Sequence, residues 1–210
     1  MFNFADLSQA VIAGQEARVK ELTQAAINSG ADPLAIINEG LIAGMNVVGA
    51  SFKSGQMFVP EVLMSARTMG AGMELLKPLL VGQEVPTAGK VVIGTVKGDL
   101  HDIGKNLVAM MLESAGFTVI NLGIDLAPEK YVQAVKDYQP QIVGLSALLT
   151  TTMLVMKDVI ELLKEEGLRD KVKVVIGGAP ISYDFASEIG ADGFAPDAAS
   201  AVDLCRKLLA

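Results

Sequence analysis

Apolar positions along the chain change their period once, near residue 90. Before that point they recur at three- and four-residue spacings, and no strand-like alternation is seen. Asp6 is placed to cap a first short helix that ends near Gly14, and a second runs from about Gln15 to Asn28. Asp32-Pro33 then joins a capping carboxylate to a proline at the first helical position. The helix it opens carries Ile37, Leu41, Met45, Val48 and Phe52 on one face and ends at Gly55. Pro60 opens a fourth, with Val59, Val62, Leu63, Ala66, Met69, Met73 and Leu76 on its apolar side. Four helices joined by short loops predict a compact antiparallel bundle over residues 1–80.

Residues 81–89 lose the period. Gly82, Pro86, Thr87 and Gly89 interrupt it, which predicts a linker and a domain boundary. From Lys90 to the end at residue 210 the pattern alternates. Strand-like runs are Val91–Thr95, Thr118–Leu122, Ile142–Leu145, Val172–Ile176 and a weaker Gly193–Ala195. Between them lie helical patterns at Asn106–Ala115, Pro128–Tyr138, Thr152–Glu166, Tyr183–Ile189 and Ala198–Leu209. Several runs are almost wholly apolar, as in strands covered on both faces. The expected class is α/β: a helical cap, then a five-stranded doubly wound parallel sheet.

Composition narrows the function. Apolar residues are 51% of the chain, aromatics only 5%, and tryptophan is missing, so the core rests on Ala, Val, Ile, Leu and Met. A net charge of −7 with no basic run argues against nucleic acid. The lone cysteine, Cys205, permits no internal disulfide and reads as a small buried hydrophobe. The amino terminus lacks the features of a signal peptide. The longest uncharged stretch, Tyr138–Met156, is broken by Pro140, Gly144 and hydroxyl residues, so no membrane span is expected and the location expected is cytoplasmic.

In such a sheet the loops after the strands carry the chemistry. The first loop holds Asp99-Leu100-His101-Asp102-Ile103-Gly104, with the chain's only histidine. Ser146-Ala147-Leu148-Leu149-Thr150-Thr151-Thr152 follows the third strand, and Gly177-Gly178-Ala179 the fourth. Nucleophilic catalysis is poorly supported, because Ser146 lacks a strained elbow motif. The glycines fit neither phosphate-loop pattern. A protein-only zinc site would need three or four His or Cys ligands, and the chain has one of each, far apart. A single imidazole suits a metal whose remaining ligands come from a macrocycle, with a carboxylate behind the ring.

Asp99-x-His101-x-x-Gly104, Ser146-x-Leu148 and Gly177-Gly178 together resemble the cobalamin-binding signature of corrinoid-dependent methyltransferases, including the module in methionine synthase. The wider run Thr95–Asn106 fits as well, and the helical segment with Met57-Phe58-Val59-Pro60-Glu61-Val62 resembles that family's cap. The resemblance covers nearly the whole chain. It implies a Rossmann/flavodoxin-like B12-binding domain and a cobalt corrinoid bound with its own lower base detached. It makes His101 the lower axial cobalt ligand, Asp99 its hydrogen-bond partner, and Thr152 the hydroxyl behind Asp99, where methionine-synthase relatives carry serine. Leu100, Asp102 and Ile103 fall within the same motif. Gly104, Ser146, Leu148, Thr150, Gly177 and Gly178 match positions lining the channel for the nucleotide tail. Phe52, Val59 and Val62 match cap residues above the cobalt; their spacing alone equally describes bundle core.

The implied function is a non-catalytic methyl carrier in one-carbon metabolism. Its partners would be a donor-side methyltransferase and one that passes the methyl to tetrahydrofolate or a thiol coenzyme. The alternative is a cobalamin-binding sensor without methyl transfer, although such members usually add a DNA-binding domain and a cap tryptophan. A radical-mutase subunit and a flavodoxin-like module without corrinoid are more distant alternatives. A homodimer is left open.

Overall fold

The computed structural model describes residues 2–80 and 87–210. It divides into two compact units, Met1–Pro86 with Ser114–Gly116, and Thr87–Glu113 with Phe117–Ala210. The expected linker over 81–89 falls mostly on 81–86, outside the described residues.

The first unit is helical. Helices α1 (Phe4–Ile12) and α2 (Glu16–Asn28) precede α3 (Pro33–Ala35), which runs unbroken through a π-helical stretch, Ile36–Ile42, into α4 (Ala43–Lys53). Helix α5 (Val59–Leu76) completes the set and ends in a 3-10 turn, Lys77–Leu80. Asn3, not Asp6, caps α1, its Oδ1 accepting the Ala5 N–H at 3.2 Å; Asp6 lies in the first turn, where a carboxylate suits the helix dipole. Asp32 caps α3 as expected, accepting the Ala35 N–H. At α5, Glu61 reaches back to accept the Phe58 N–H at 2.8 Å.

The π stretch was not legible in the apolar period, which it breaks by one residue per turn. It contains Gly40, where a Cβ would lie 2.6 Å from the Leu7 side chain; at Gly44 one would lie 2.8 Å from Val11 Cβ. These glycines let α1 lie close against the π stretch and α4. The buried face of α5 is broader than predicted, taking in Ser65, Thr68 and Gly72 while Leu63 is exposed. Pro33–Lys53 is apolar and long enough to cross a membrane by length and composition. Its Ile36, Ile37, Leu41, Met45 and Val48 are buried, which is how a bundle helix meets the same test.

The second unit is a five-stranded, all-parallel sheet in the order β2-β1-β3-β4-β5. Its strands are β1 (Lys90–Thr95), β2 (Thr118–Asn121), β3 (Ile142–Ser146), β4 (Lys173–Gly177) and β5 (Gly193–Phe194). The helices are α6 (Ile103–Ser114), α7 (Pro128–Tyr138), α8 (Val155–Glu165), α9 (Tyr183–Ile189) and α10 (Ala198–Leu209). Two starts differ from expectation. Helix α6 begins three residues earlier, at Ile103, so Gly104 lies in its first turn; α8 begins at Val155, leaving Thr152 in a turn. The apolar period alone cannot mark where either helix begins: apolar Ile103 opens α6, whereas apolar Met153 and Leu154 lie before α8.

Chain order places the switch of direction between β1 and β3, where ligands sit in open α/β sheets. The register aligns Thr95, Ser146 and Gly177 in one row at the carboxyl edge. The three signature loops therefore leave the sheet side by side.

Beneath them, Tyr131 of α7 is completely buried against β1. A Cβ on Gly94 would lie 2.8 Å from its hydroxyl, and that hydroxyl has no hydrogen-bond partner among the described residues. Burial pushes the phenol pKa upward. An unsatisfied buried hydroxyl costs about 1–3 kcal/mol. Tyr131→Phe keeps the ring packing and is expected to raise Tm by roughly 2–4 °C, read in a thermal melt. A lower Tm would show that the hydroxyl has a partner.

Candidate functional site

The site is built around a buried carboxylate. Gly98, at φ +82°, turns the chain after β1, and Asp99 points back under the loops with no solvent exposure. Its Oδ1 accepts the His101 N–H at 3.0 Å and lies 2.7 Å from His101 Nδ1. Its Oδ2 accepts the backbone N–H of Leu148 at 2.7 Å, that of Leu149 at 3.3 Å, and the Thr152 hydroxyl at 2.8 Å. Burial by itself would raise the Asp99 pKa, and it is the largest single influence. The hydrogen bonds from His101, Leu148 and Thr152 together outweigh it and hold the carboxyl well below the usual carboxylate range.

Direction follows from that charge. An ionised carboxylate only accepts, so Nδ1 of His101 carries a proton, and in the neutral ring the lone pair lies on Nε2. The His101 side chain is half exposed, and Nε2 takes no hydrogen bond among the described residues. Thr95, buried beneath the loop, donates its hydroxyl to the His101 carbonyl at 2.9 Å. The result is one outward-facing imidazole of set tautomer, backed by a fully bonded acid.

Around it the surface is apolar. Ile103 at the start of α6 is 82% exposed, Leu100 beside His101 67%, and Leu148 in the loop after β3 43%, an unusual display for aliphatic side chains. Gly104 adjoins them, and a Cβ there would meet nothing within 4 Å. Asp102 is half-buried and accepts from Asn106 at 2.9 Å. No group of three His, Cys, Asp or Glu among the described residues could hold a metal ion. A flat apolar macrocycle that brings its own metal ligands fits this set: one free imidazole nitrogen, an aliphatic collar and an open glycine.

The structure brings Asp99, Leu100, His101, Asp102, Ile103, Gly104, Ser146, Leu148, Thr150, Thr152, Gly177 and Gly178 to one sheet edge. Two glycine roles differ from expectation. At Gly178, φ +133°, a Cβ would overlap the Ala147 carbonyl, so this glycine serves the close approach of two loops before any ligand is considered. At Gly177 a Cβ would lie 3.3 Å from the Ala195 carbonyl. Of these three glycines, Gly104 alone has free space beside it. Phe52 near the end of α4 and Val59 at the start of α5 are half-buried, whereas Val62 is completely buried. Sequence reasoning missed Thr95 and the backbone N–H groups of Leu148 and Leu149. No side-chain motif signals a backbone donor, though Thr95 at a strand end was visible.

Residues 89–203 match a family model described as a B12 binding domain, and residues 4–77 match a second model of the same description. A corrinoid protein of Desulfitobacterium hafniense is 46% identical over 97% of this chain and 96% of its own. A dimethylamine corrinoid protein of Methanosarcina acetivorans is 51% identical over 85% of this chain and 84% of its own. A crystal structure of the methanol:cobalamin methyltransferase complex of Methanosarcina barkeri superposes with a TM-score of 0.88, at 36% identity, covering 98% of this chain and 79% of that one.

The chain belongs to the corrinoid protein family. As a corrinoid protein it binds a cobalt corrinoid. The sensor alternative falls: the solved relative belongs to a methanol:cobalamin methyltransferase complex, and the others are named corrinoid proteins, one of them for dimethylamine.

Proposed function

We propose that this corrinoid protein is a methyl carrier, with His101 as lower axial ligand to cobalt and a methylamine as the donor class. The bound corrinoid supplies a cobalt centre that accepts a methyl group and gives it up again. The protein residues supply the rest. His101 offers Nε2 because Asp99 holds the proton on Nδ1. Thr152 and the Leu148 and Leu149 N–H groups keep Asp99 ionised and in place. Leu100, Ile103 and Leu148 give the macrocycle an apolar seat, and Gly104 leaves room for its tail. Phe52 and Val59 are the helical unit's candidates for corrin contact; Val62, fully buried, would reach it only if its packing opened.

The single observation that carries this reading is the Asp99–His101 pair, on a half-exposed imidazole whose loops also expose Leu100 and Leu148. The 51% identity to a dimethylamine corrinoid protein supports the donor class. The expected partners are one methyltransferase that demethylates the donor and one that passes the methyl to tetrahydrofolate or a thiol coenzyme. The expected location is the cytoplasm.

Anaerobic incubation with hydroxocobalamin followed by desalting is expected to leave a coloured protein whose spectrum shows imidazole in place of the nucleotide base. His101→Ala should retain colour, shift the spectrum and weaken binding by at least tenfold, about 1.4 kcal/mol. A colourless wild-type protein would refute corrinoid binding, and an unchanged H101A spectrum would refute the ligand assignment. Capture from native extract with a dimethylamine or trimethylamine methyltransferase, compared with a methanol one, tests the donor class.

A further inference from the structure

Asp125 sits in the loop after β2, away from the signature motifs, yet it grips the segment that carries them. Its carboxylate Oδ1 accepts the Gly98 N–H at 2.7 Å. Its own backbone N–H donates to the Asp99 carbonyl at 3.1 Å. It adopts φ +54°, one of only two non-glycine residues in the left-handed region among the described residues. Its neighbours are tied in the same direction: Thr95 N–H donates to the Gly123 carbonyl, and Leu126 N–H to the Thr95 carbonyl, both at 3.1 Å. The loop from Gly123 to Leu126 therefore runs along the His101 loop as a second rail, with Asp125 as the residue holding Gly98 and Asp99 at once.

A left-handed backbone costs a non-glycine residue of order 1 kcal/mol. A turn that needed only its shape would be met by glycine at no cost. What glycine would not provide is the acceptor for Gly98. The bond it accepts lies one residue before Asp99, whose carboxylate must stay within 2.7 Å of Nδ1 to hold the imidazole tautomer. A small shift of Gly98 moves that carboxylate and with it the direction of Nε2.

We propose that Asp125 is a positioning residue for the cobalt ligand: it clamps Gly98 and Asp99 so that His101 presents Nε2 outward in a single tautomer. This rests on the reading of His101 given above, but the clamp itself is testable without the corrinoid. Because the chain has one histidine, its ring nitrogens give one unambiguous set of 15N signals. In the apo protein the ring is expected as the Nδ1–H tautomer, with the Gly98 amide protected from hydrogen exchange.

Three variants separate the causes. Asp125→Asn keeps an oxygen acceptor and tolerates the left-handed backbone, and should match wild type in tautomer and exchange. Asp125→Gly removes the backbone cost and the acceptor together; Asp125→Ala removes the acceptor and keeps the cost. Both should speed Gly98 exchange about tenfold, the ratio expected when one hydrogen bond of ordinary strength is lost. Both should also mix in the Nε2–H tautomer and, with hydroxocobalamin bound, lower the imidazole-ligated fraction in the visible spectrum. D125G matching wild type in tautomer and exchange would overturn the proposal, and so would D125N behaving like D125A. If wild type takes up no cobalamin, the functional reading fails while the apo tautomer and exchange data still decide on the clamp.

Discussion

Replacing Asp99 by alanine is expected to lower the apo protein's stability by about 3–5 kcal/mol, the range for losing one partner of a buried charged network. Four residues lose their acceptor at once: the His101, Leu148 and Leu149 backbone N–H groups, the His101 ring and the Thr152 hydroxyl all point at the emptied volume. Water can reach some of them, since Leu148 and His101 are exposed, which caps the loss below the sum of separate penalties. For a chain of this length the matching fall in Tm is roughly 10 °C. Asp99→Asn should fall between, because its amide nitrogen must face one set of donors. With the amide oxygen kept on the three donors at Oδ2, its nitrogen faces the ring and donates to Nδ1, which puts the ring proton on Nε2 and removes the lone pair meant for cobalt. A D99A protein melting within a degree or two of wild type would show that the network does not hold the loops together.

The same carboxylate sets an acid limit. Its folded pKa lies below the unfolded value of ~3.9, so the folded state binds fewer protons and stability rises with pH across that interval. The contribution is complete above ~3.9 and is lost as pH falls through the folded pKa. Acid unfolding of wild type compared with D99A should therefore converge at low pH, with the difference regained above that point.

How far the sequence led depends on which physical feature carried the information. Apolar period is a property of single elements, and it located all five strands, α7, α9 and α10 to within a residue or two. It did not see the π stretch at Ile36–Ile42, because that helix wall is shaped by Gly40 and Gly44 meeting Leu7 and Val11 of another helix. The His101 pairing was legible because Asp99 lies two residues away and its geometry is local. Thr152 stands where methionine-synthase relatives carry serine, and its hydroxyl lies 2.8 Å from the carboxylate. Asp125 was invisible. Its partners are Gly98 and Asp99, on a different loop, and only the pairing of β1 with β2 brings them together.

Two glycines of the signature should respond in opposite ways to the same added methyl group. Gly178→Ala places a Cβ into the Ala147 carbonyl and 2.8 Å from its carbon, from a backbone at φ +133° that an L-residue rarely adopts. Neither side can yield cheaply. Ala147 is fully buried and its N–H donates to Gly177 at 3.2 Å, while the Gly178 carbonyl accepts from Ile181 at 3.1 Å. The expected loss is about 4 kcal/mol or more, in the range that single substitutions seldom reach, with Tm down by roughly 10 °C before any ligand is added. Gly104→Ala meets nothing within 4 Å and lies in the first turn of α6, where alanine is the better helix former by up to ~1 kcal/mol. Its apo protein should melt at or slightly above wild type. Its methyl group, however, enters the space assigned to the nucleotide tail, so hydroxocobalamin binding should weaken by tenfold or more, about 1.4 kcal/mol. Melting curves of both apo variants and cobalamin titrations of G104A decide the matter. A destabilised G104A with normal cobalamin affinity would move that glycine from the ligand channel to the scaffold, and a stable G178A would mean that the loops after β3 and β4 are not locked together through Ala147.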